Sequence, residues 1–150
     1  MARQYCTFYV GDLFFGVEVE RIQEVIRYQD MTPVPLAPHV VRGLINLRGQ
    51  IVTAIDLRRR LEIEAPPVDP NDEEHLPMNV VIRTEEGVVS FLVDEIGDVL
   101  EVEDDVSEAP PETLTGVARE LIRRVYKLEG QLLLVLDAER TLEFSTVAAL

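Results

Sequence analysis

The stretch VRGLINLRGQIVTAIDLRRRL, residues 41–61, decides the fold. It contains an apolar run, a turn with Gly49, and a second run rich in β-branched residues that ends at Ile55. Two such runs joined by a connection that contains glycine predict a β-hairpin. Asp56 follows directly, ahead of a basic segment, where its carboxylate predicts the N-cap of a short helix. The stretch therefore predicts strand, turn, strand, cap and helix, in that order.

The same pattern occurs again later in the chain. The segments RGQIVTAIDLRRRL (48–61) and EGQLLLVLDAERTL (129–142) share a glycine, a glutamine, an aspartate, an arginine and a leucine at an offset of 81. The segments VERIQEVI (19–26) and VDEIGDVL (93–100) match at an offset of 74. Matched segments in the same order indicate an internal duplication. We expect one domain, residues 1–150, made of two repeated β subdomains; the alternative is that both halves merely contain hairpins.

Composition narrows the class of protein. A chain of 150 residues with 47% apolar residues can bury a core of its own. We expect it to be soluble and intracellular, because it shows neither a membrane-span pattern nor a signal peptide. Its single cysteine, Cys6, excludes an internal disulfide, and we expect a buried thiol. A net charge of −14 repels phosphate backbones and anionic lipid, so we expect neither nucleic acid nor membrane as a partner.

Other segments predict further short strands joined by connections. Residues 5–10 and 13–19 predict a hairpin, as do 79–83 and 88–93, and 96–102 reads as strand. The segment 19–26 fits either a helical turn or an irregular strand entry. Residues 39–42 predict a turn of helix, and 116–125 is ambiguous. Prolines mark 31–38 as an extended connection and the acidic segment 64–77 as a linker between halves.

The sequence contains no recognisable catalytic or cofactor-binding motif. The sequence has no nucleophile elbow, no glycine-rich phosphate loop and no metal-ligand spacing, so we expect no catalytic residues, no cofactor and no metal. One alternative is an enzymatic or small-ligand-binding β barrel that uses Asp56 and Asp137 as paired carboxylates. Their matched placement between a strand and a helix favours two N-caps instead. A run of five arginines within 42–60 reads equally as a solvated face or as a patch that contacts a partner.

The segment GLINLRG at 43–49, followed at this spacing by Asp56-Leu57-Arg58, resembles the CheW family of bacterial chemotaxis coupling proteins. The resemblance also takes in 8–17, 19–25, 32–35, 91–94 and 136–137. It implies a mainly β fold of two similar five-stranded SH3-like β barrels, packed around a shared core, with a few short helices. It further implies a non-catalytic adaptor, cytoplasmic and recruited to membrane receptor arrays.

As partners, the resemblance implies the cytoplasmic tip of methyl-accepting chemoreceptors and the regulatory domain of a CheA-type histidine kinase. It implies receptor contact by Arg48, Glu24 and Asn46. Apolar positions resemble the kinase-facing surface: Val19, Ile22, Val25 and Leu44. Arg48 could also be a plain solvated charge, and core packing is an equal alternative for each apolar residue. A coupling protein of a non-chemotaxis system, such as surface motility, is a further alternative.

Overall fold

The computed structural model describes residues 2–63, 76–103, 107–108 and 116–143. Most of the linker predicted at 64–77 lies outside these residues. The strands are β1 (Ala2–Val10), β2 (Leu13–Glu18), β3 (Ile22–Ile26), β4 (Val41–Leu47), β5 (Gln50–Asp56), β6 (Met78–Thr84), β7 (Gly87–Val93), β8 (Glu95–Glu103), β9 (Ser107–Glu108), β10 (Ile122–Leu128) and β11 (Gln131–Leu136). The helices are a 3-10 turn (Val19–Arg21), α1 (Leu57–Arg60), α2 (Gly116–Leu121) and α3 (Ala138–Thr141).

The strands form two sheets with the same order in their five matching strands. One sheet has the order β8-β1-β2-β11-β10, with β9 added beside β10, and the other has the order β3-β6-β7-β5-β4. The hairpins are antiparallel, whereas β11 pairs with β2 and β5 pairs with β7 in parallel. Each sheet therefore joins a hairpin from the first part of the chain to a hairpin from the second part.

Strand registers repeat between the two parts of the chain. Val41 pairs with Ile55 in the β4–β5 hairpin, and the residues 81 positions later, Ile122 and Leu136, pair in the β10–β11 hairpin. Both hairpins have a register irregularity directly after their first pair. The β1–β2 and β6–β7 hairpins correspond in the same way at an offset of 74. The two offsets read from the sequence are thus also offsets between paired residues in the sheets.

Buried side chains form three clusters that reflect this arrangement. One cluster lies within the first sheet and includes Tyr5, Tyr126 and Leu133. A second lies within the other sheet and includes Ile45 and Val52. The third and largest cluster takes residues from both sheets and from all three α-helices: Phe8, Val10, Phe15, Val17, Ile55, Leu57, Leu61, Val80, Ile82, Val89, Phe91, Val93, Ala118, Leu121, Ile122, Val125, Leu134, Leu136 and Ala138. The expected fold class, mainly β with two similar five-stranded units around a shared core, is confirmed.

Asp56 and Asp137 are helix N-caps. The Asp56 carboxylate accepts a hydrogen bond from the backbone N–H of Arg59 at 3.2 Å, and the Asp137 carboxylate accepts one from Arg140 at 3.0 Å. A carboxylate in this position satisfies a backbone donor that has no partner within the helix. The predicted caps are therefore confirmed, and their geometry argues against the alternative in which the two acids form a catalytic pair.

Two ambiguous segments are resolved, and one prediction is wrong. The segment 19–26 is a 3-10 turn that leads into β3, so it combines the two structures considered for it. The segment 116–125 is α2 followed directly by β10. The helical turn predicted at 39–42 does not form, because β4 already begins at Val41 and pairs with β5. Within the described part of the chain, no helix is long and apolar enough to cross a membrane.

Candidate partner-binding surfaces

The tip of the β4–β5 hairpin presents Arg48 to solvent. Leu47 pairs with Gln50, which leaves Arg48 and Gly49 as a two-residue loop, and both have positive φ angles, of 52° and 91°. Positive φ at both loop residues is typical of the turn that best matches strand twist in a hairpin. The Asn46 side chain accepts a hydrogen bond from the Gly49 backbone N–H at 2.9 Å. Asn46 therefore holds the turn from which the Arg48 side chain, 72% exposed, projects.

Arg48 forms an ion pair with Glu24 of β3. Strands β3 and β4 are the two edge strands of their sheet, so this pair links opposite edges across the end of the barrel-like unit. The structure thus brings together the three residues predicted to contact the receptor. Because the Arg48 side chain is largely in water, we expect the pair to contribute only about 0.2–1 kcal/mol to stability.

The corresponding position in the second part of the chain has a different charge. The offset of 81 places Glu129 opposite Arg48, and the offset of 74 places Asp98 opposite Glu24. Both acids are exposed, and neither carboxylate forms an ion pair with another described residue. The basic hairpin tip and its ion pair therefore belong to one half of the molecule.

The residues predicted to contact the kinase do not form a single cluster. Val19 and Val25 are half-buried in the segment formed by the 3-10 turn and β3, and Ile22 of the same segment packs against the shared core. Leu44 lies on β4, at the opposite edge of that sheet. Side chains two residues apart on a strand share a face, so Leu44 lies on the face of Asn46. Leu44 thus shares a strand and a face with Asn46, whereas the other three belong to the 3-10 turn and β3.

The five arginines of the basic run all have partners within the chain. Arg42 pairs with Asp56 at 3.1 Å, and Arg48 pairs with Glu24. Arg58 binds Asp94 through two nitrogens, Arg59 donates to the His39 carbonyl at 3.0 Å, and Arg60 donates to the Thr141 carbonyl at 2.6 Å. Two of the five, Arg58 and Arg60, therefore tie the two halves together. The Arg48 side chain is more exposed than those of Arg42, Arg58 and Arg59.

Sequence reasoning missed a set of ion pairs between the two halves. Arg21 donates to Glu139 of α3 at 2.9 Å, and Arg123 of β10 donates to Glu18 at 3.3 Å. The sequence contains one related feature: at the offset of 81, the acidic Glu139 occupies the position that matches the basic Arg58. This difference in charge predicts no particular ion pair unless it is known which segments of the two halves are in contact.

Two buried side chains have shifted pKa values. Burial raises the pKa of the Cys6 thiol, as expected for a thiol in the first strand. Burial and the hydrogen bond with Tyr126 raise the pKa of Tyr5, whose hydroxyl lies 3.1 Å from that of Tyr126. Within the described residues, no group of three or more His, Cys, Asp or Glu side chains could hold a metal ion.

Comparison with known proteins assigns the family. The model of the CheW-like domain matches residues 4–145. The chain is 30% identical to the chemotaxis protein CheW of Treponema pallidum, over 91% of this chain and 80% of that protein. It is 31% identical to the chemotaxis protein CheW of Thermotoga maritima, over 94% and 88%. The scaffolding protein TtCheW of Thermoanaerobacter tengcongensis has the same fold, with a TM-score of 0.82 and 19% identity over 97% of this chain and 90% of that one. The chain belongs to the CheW-like domain family.

Proposed function

We propose that this chain is a non-catalytic chemotaxis adaptor that couples chemoreceptors to a CheA-type histidine kinase. Membership in the CheW-like domain family over residues 4–145 is the observation that carries the proposal. Relatives that match about nine tenths of the chain bear the name of a chemotaxis protein, so a role in a non-chemotaxis system is not favoured. The protein would act in the cytoplasm, at arrays of membrane receptors, as one domain of two repeated subdomains.

The receptor surface in this proposal is the hairpin tip with Glu24, Asn46 and Arg48. Its support is the arrangement of the three side chains: Asn46 fixes the turn, Glu24 orients the guanidinium, and most of Arg48 stays open to a partner. An arginine held in this way can form charge-assisted hydrogen bonds to an acidic or amide-bearing helix surface. The kinase surface is the segment with Val19, Ile22 and Val25, whose half-buried side chains provide apolar contact area. Leu44 remains a proposed kinase contact, although it lies beside Asn46.

Co-sedimentation with membrane vesicles that contain the receptor tests the receptor surface. Arg48→Ala should weaken receptor binding about tenfold, because residues that anchor an interface contribute more than about 1 kcal/mol each. Glu129→Ala, at the matching turn of the other half, is the control and should bind as the unmodified protein does. Equal loss in both variants, or loss of the fold in Arg48→Ala, would argue against a dedicated receptor site.

A further inference from the structure

The 3-10 turn Val19–Arg21 is held from both sides by the second half of the chain. On its N-terminal side, Arg123 of β10 donates to the Glu18 carboxylate at 3.3 Å. At its last residue, Arg21 donates to the Glu139 carboxylate of α3 at 2.9 Å. A short 3-10 turn has few hydrogen bonds of its own, so these contacts add to the constraint that the flanking strands β2 and β3 place on it.

A third contact follows directly after the turn. Arg83 of β6 donates to the Ile22 carbonyl at 3.2 Å. The same Glu139 oxygen that receives Arg21 also accepts the backbone N–H of Glu85, at 3.0 Å, in the turn between β6 and β7. Glu139 therefore joins α3, the β6–β7 turn and the 3-10 turn at one carboxylate, whose side chain is 25% exposed.

The matching segment of the second half lacks this arrangement. At the offset of 74, Leu92 replaces Glu18 and Glu95 replaces Arg21, and strand β8 begins at Glu95 with no 3-10 turn before it. Arg58, which matches Glu139 at the offset of 81, pairs there with Asp94, which matches Glu20 rather than Arg21 at the offset of 74. Asp94 also accepts the Gly11 backbone N–H at 2.7 Å, as Glu139 accepts Glu85. Asp94 also donates its backbone N–H to the Tyr9 carbonyl at 2.9 Å. Three contacts from the first half thus meet at Asp94, whereas the contacts from the second half are spread over Glu18, Arg21 and Ile22.

We propose that Arg83, Arg123 and Glu139 are positioning residues that set the geometry of the Val19–Ile26 segment for kinase binding. This inference rests on the proposed function, because Val19, Ile22 and Val25 are the proposed kinase contacts. The three positioning side chains lie outside that segment and act through Glu18, Arg21 and the Ile22 backbone. A segment fixed before binding loses less conformational freedom on association. The contacts thus make kinase affinity depend on the second half of the chain.

Titration calorimetry with the regulatory domain of the CheA-type kinase tests the inference. Glu139→Ala should weaken binding about fivefold, since contacting residues in one network are coupled by about 0.5–3 kcal/mol. Glu139→Gln keeps an acceptor for Glu85 and removes the charge, so it should show a similar loss with a smaller effect on folding. The double exchange Arg21→Glu with Glu139→Arg rebuilds the ion pair and should bind within about threefold of the unmodified protein.

Arg58→Ala is the matched control, because it removes the corresponding contact of the other half. It should bind the kinase domain normally, even if it unfolds at a lower denaturant concentration. A charge exchange that folds as the unmodified protein does and still fails to restore binding would mean that the Arg21–Glu139 ion pair does not set the geometry of the segment, and the positioning role would be wrong.

The two proposals fail differently in this experiment. If the unmodified protein binds the kinase domain and Glu139→Ala and Glu139→Gln bind equally well, only the positioning role is wrong. If the folded, unmodified protein does not bind at all, the proposed kinase coupling is wrong and the positioning role with it.

Discussion

Arg48 occupies a backbone conformation that few non-glycine residues adopt. A positive φ costs an L-residue with a side chain about 1–2 kcal/mol, and the hairpin tip keeps an arginine there nonetheless. A favourable contact between the Arg48 side chain and a binding partner would offset this conformational cost. The proposed receptor contact would account for Arg48 beside Gly49, whereas the turn alone would be satisfied by two residues of the glycine or asparagine type.

The variant Arg48→Gly distinguishes an effect on the stability of the fold from an effect on receptor binding. Arg48→Gly removes the strained side chain and also increases the freedom of the unfolded chain, so the two effects offset each other within about 1 kcal/mol. We expect chemical denaturation of Arg48→Gly and of the unmodified protein to coincide within that margin, while receptor co-sedimentation falls about as far as in Arg48→Ala. Normal receptor binding by the glycine variant would show that the guanidinium is a solvated charge.

Buried Cys6 makes stability depend on pH in the alkaline range. Burial raises its pKa in the folded protein above the ordinary value of 9.0, so above that pH the unfolded chain releases a proton that the folded chain keeps. The free energy of unfolding must then fall as pH rises through about 9. The pKa of Tyr5 is raised as well, so the free energy of unfolding falls further above pH 10.0, the ordinary pKa of a tyrosine. Urea denaturation at a series of pH values should show a shallower fall for Cys6→Ala; an identical slope in both proteins would contradict this origin.

At the scale of elements, the two capped helices offer a comparison within one molecule. Asp56 and Asp137 have matching φ and ψ angles, near −80° and 100°, and each caps one turn of helix. Asp56 has more partners, because its carboxylate also lies 3.1 Å from Arg42 and 3.5 Å from Arg59.

We therefore expect Asp56→Ala to destabilise the protein more than Asp137→Ala does. Loss of a cap costs about 0.5–2 kcal/mol, and loss of the Asp56 ion pairs adds to that cost. Asparagine is as good a cap as aspartate, so Asp137→Asn should be nearly neutral while Asp56→Asn keeps part of the loss. Denaturant midpoints for the four variants measure these differences. A larger loss at Asp137 would contradict the assigned roles of the two carboxylates.

The hairpins and caps could be predicted from sequence because their causes are local. Alternating apolar runs, glycine turns and an aspartate after a strand each act within a few residues. The helical turn predicted at 39–42 was wrong because its cause is not local. From Val41 onward the chain pairs with β5 as strand β4. Leu44 shows the same limit, since its place on β4, at the opposite edge of the sheet from β3, depends on strand pairing rather than on local sequence.

At the scale of the whole molecule, the halves are joined by exchange of hairpins. The parallel pairs of β5 with β7 and of β11 with β2 connect residues that are far apart in sequence. No local sequence pattern predicts a pairing between such distant strands. The sequence could therefore predict two similar units, but not which hairpin enters which sheet. The contacts of Glu139 with Arg21 and of Arg60 with Thr141 depend on this exchange, so they could not be predicted from the sequence either.

The shared core should make the two sheets unfold together. Phe91 is fully buried in the cluster that draws on both sheets, and its replacement by alanine should cost about 3–5 kcal/mol. Hydrogen exchange followed by mass spectrometry should show faster exchange in both sheets of Phe91→Ala, including β10 and β11, which Phe91 does not pair with. Faster exchange confined to β5, β6 and β7 would instead show two units that unfold independently.

The proposed adaptor function requires that Arg48 serve the receptor and not the kinase. Calorimetric titration with the regulatory domain of the CheA-type kinase tests this most directly when the unmodified protein and Arg48→Ala are compared at moderate salt. We expect saturable binding of roughly micromolar strength, about 8 kcal/mol, and the same affinity for both proteins, because Arg48 lies outside the proposed kinase surface. No binding by the folded, unmodified protein would contradict the adaptor function, and a large loss in Arg48→Ala would contradict the separation of the two surfaces.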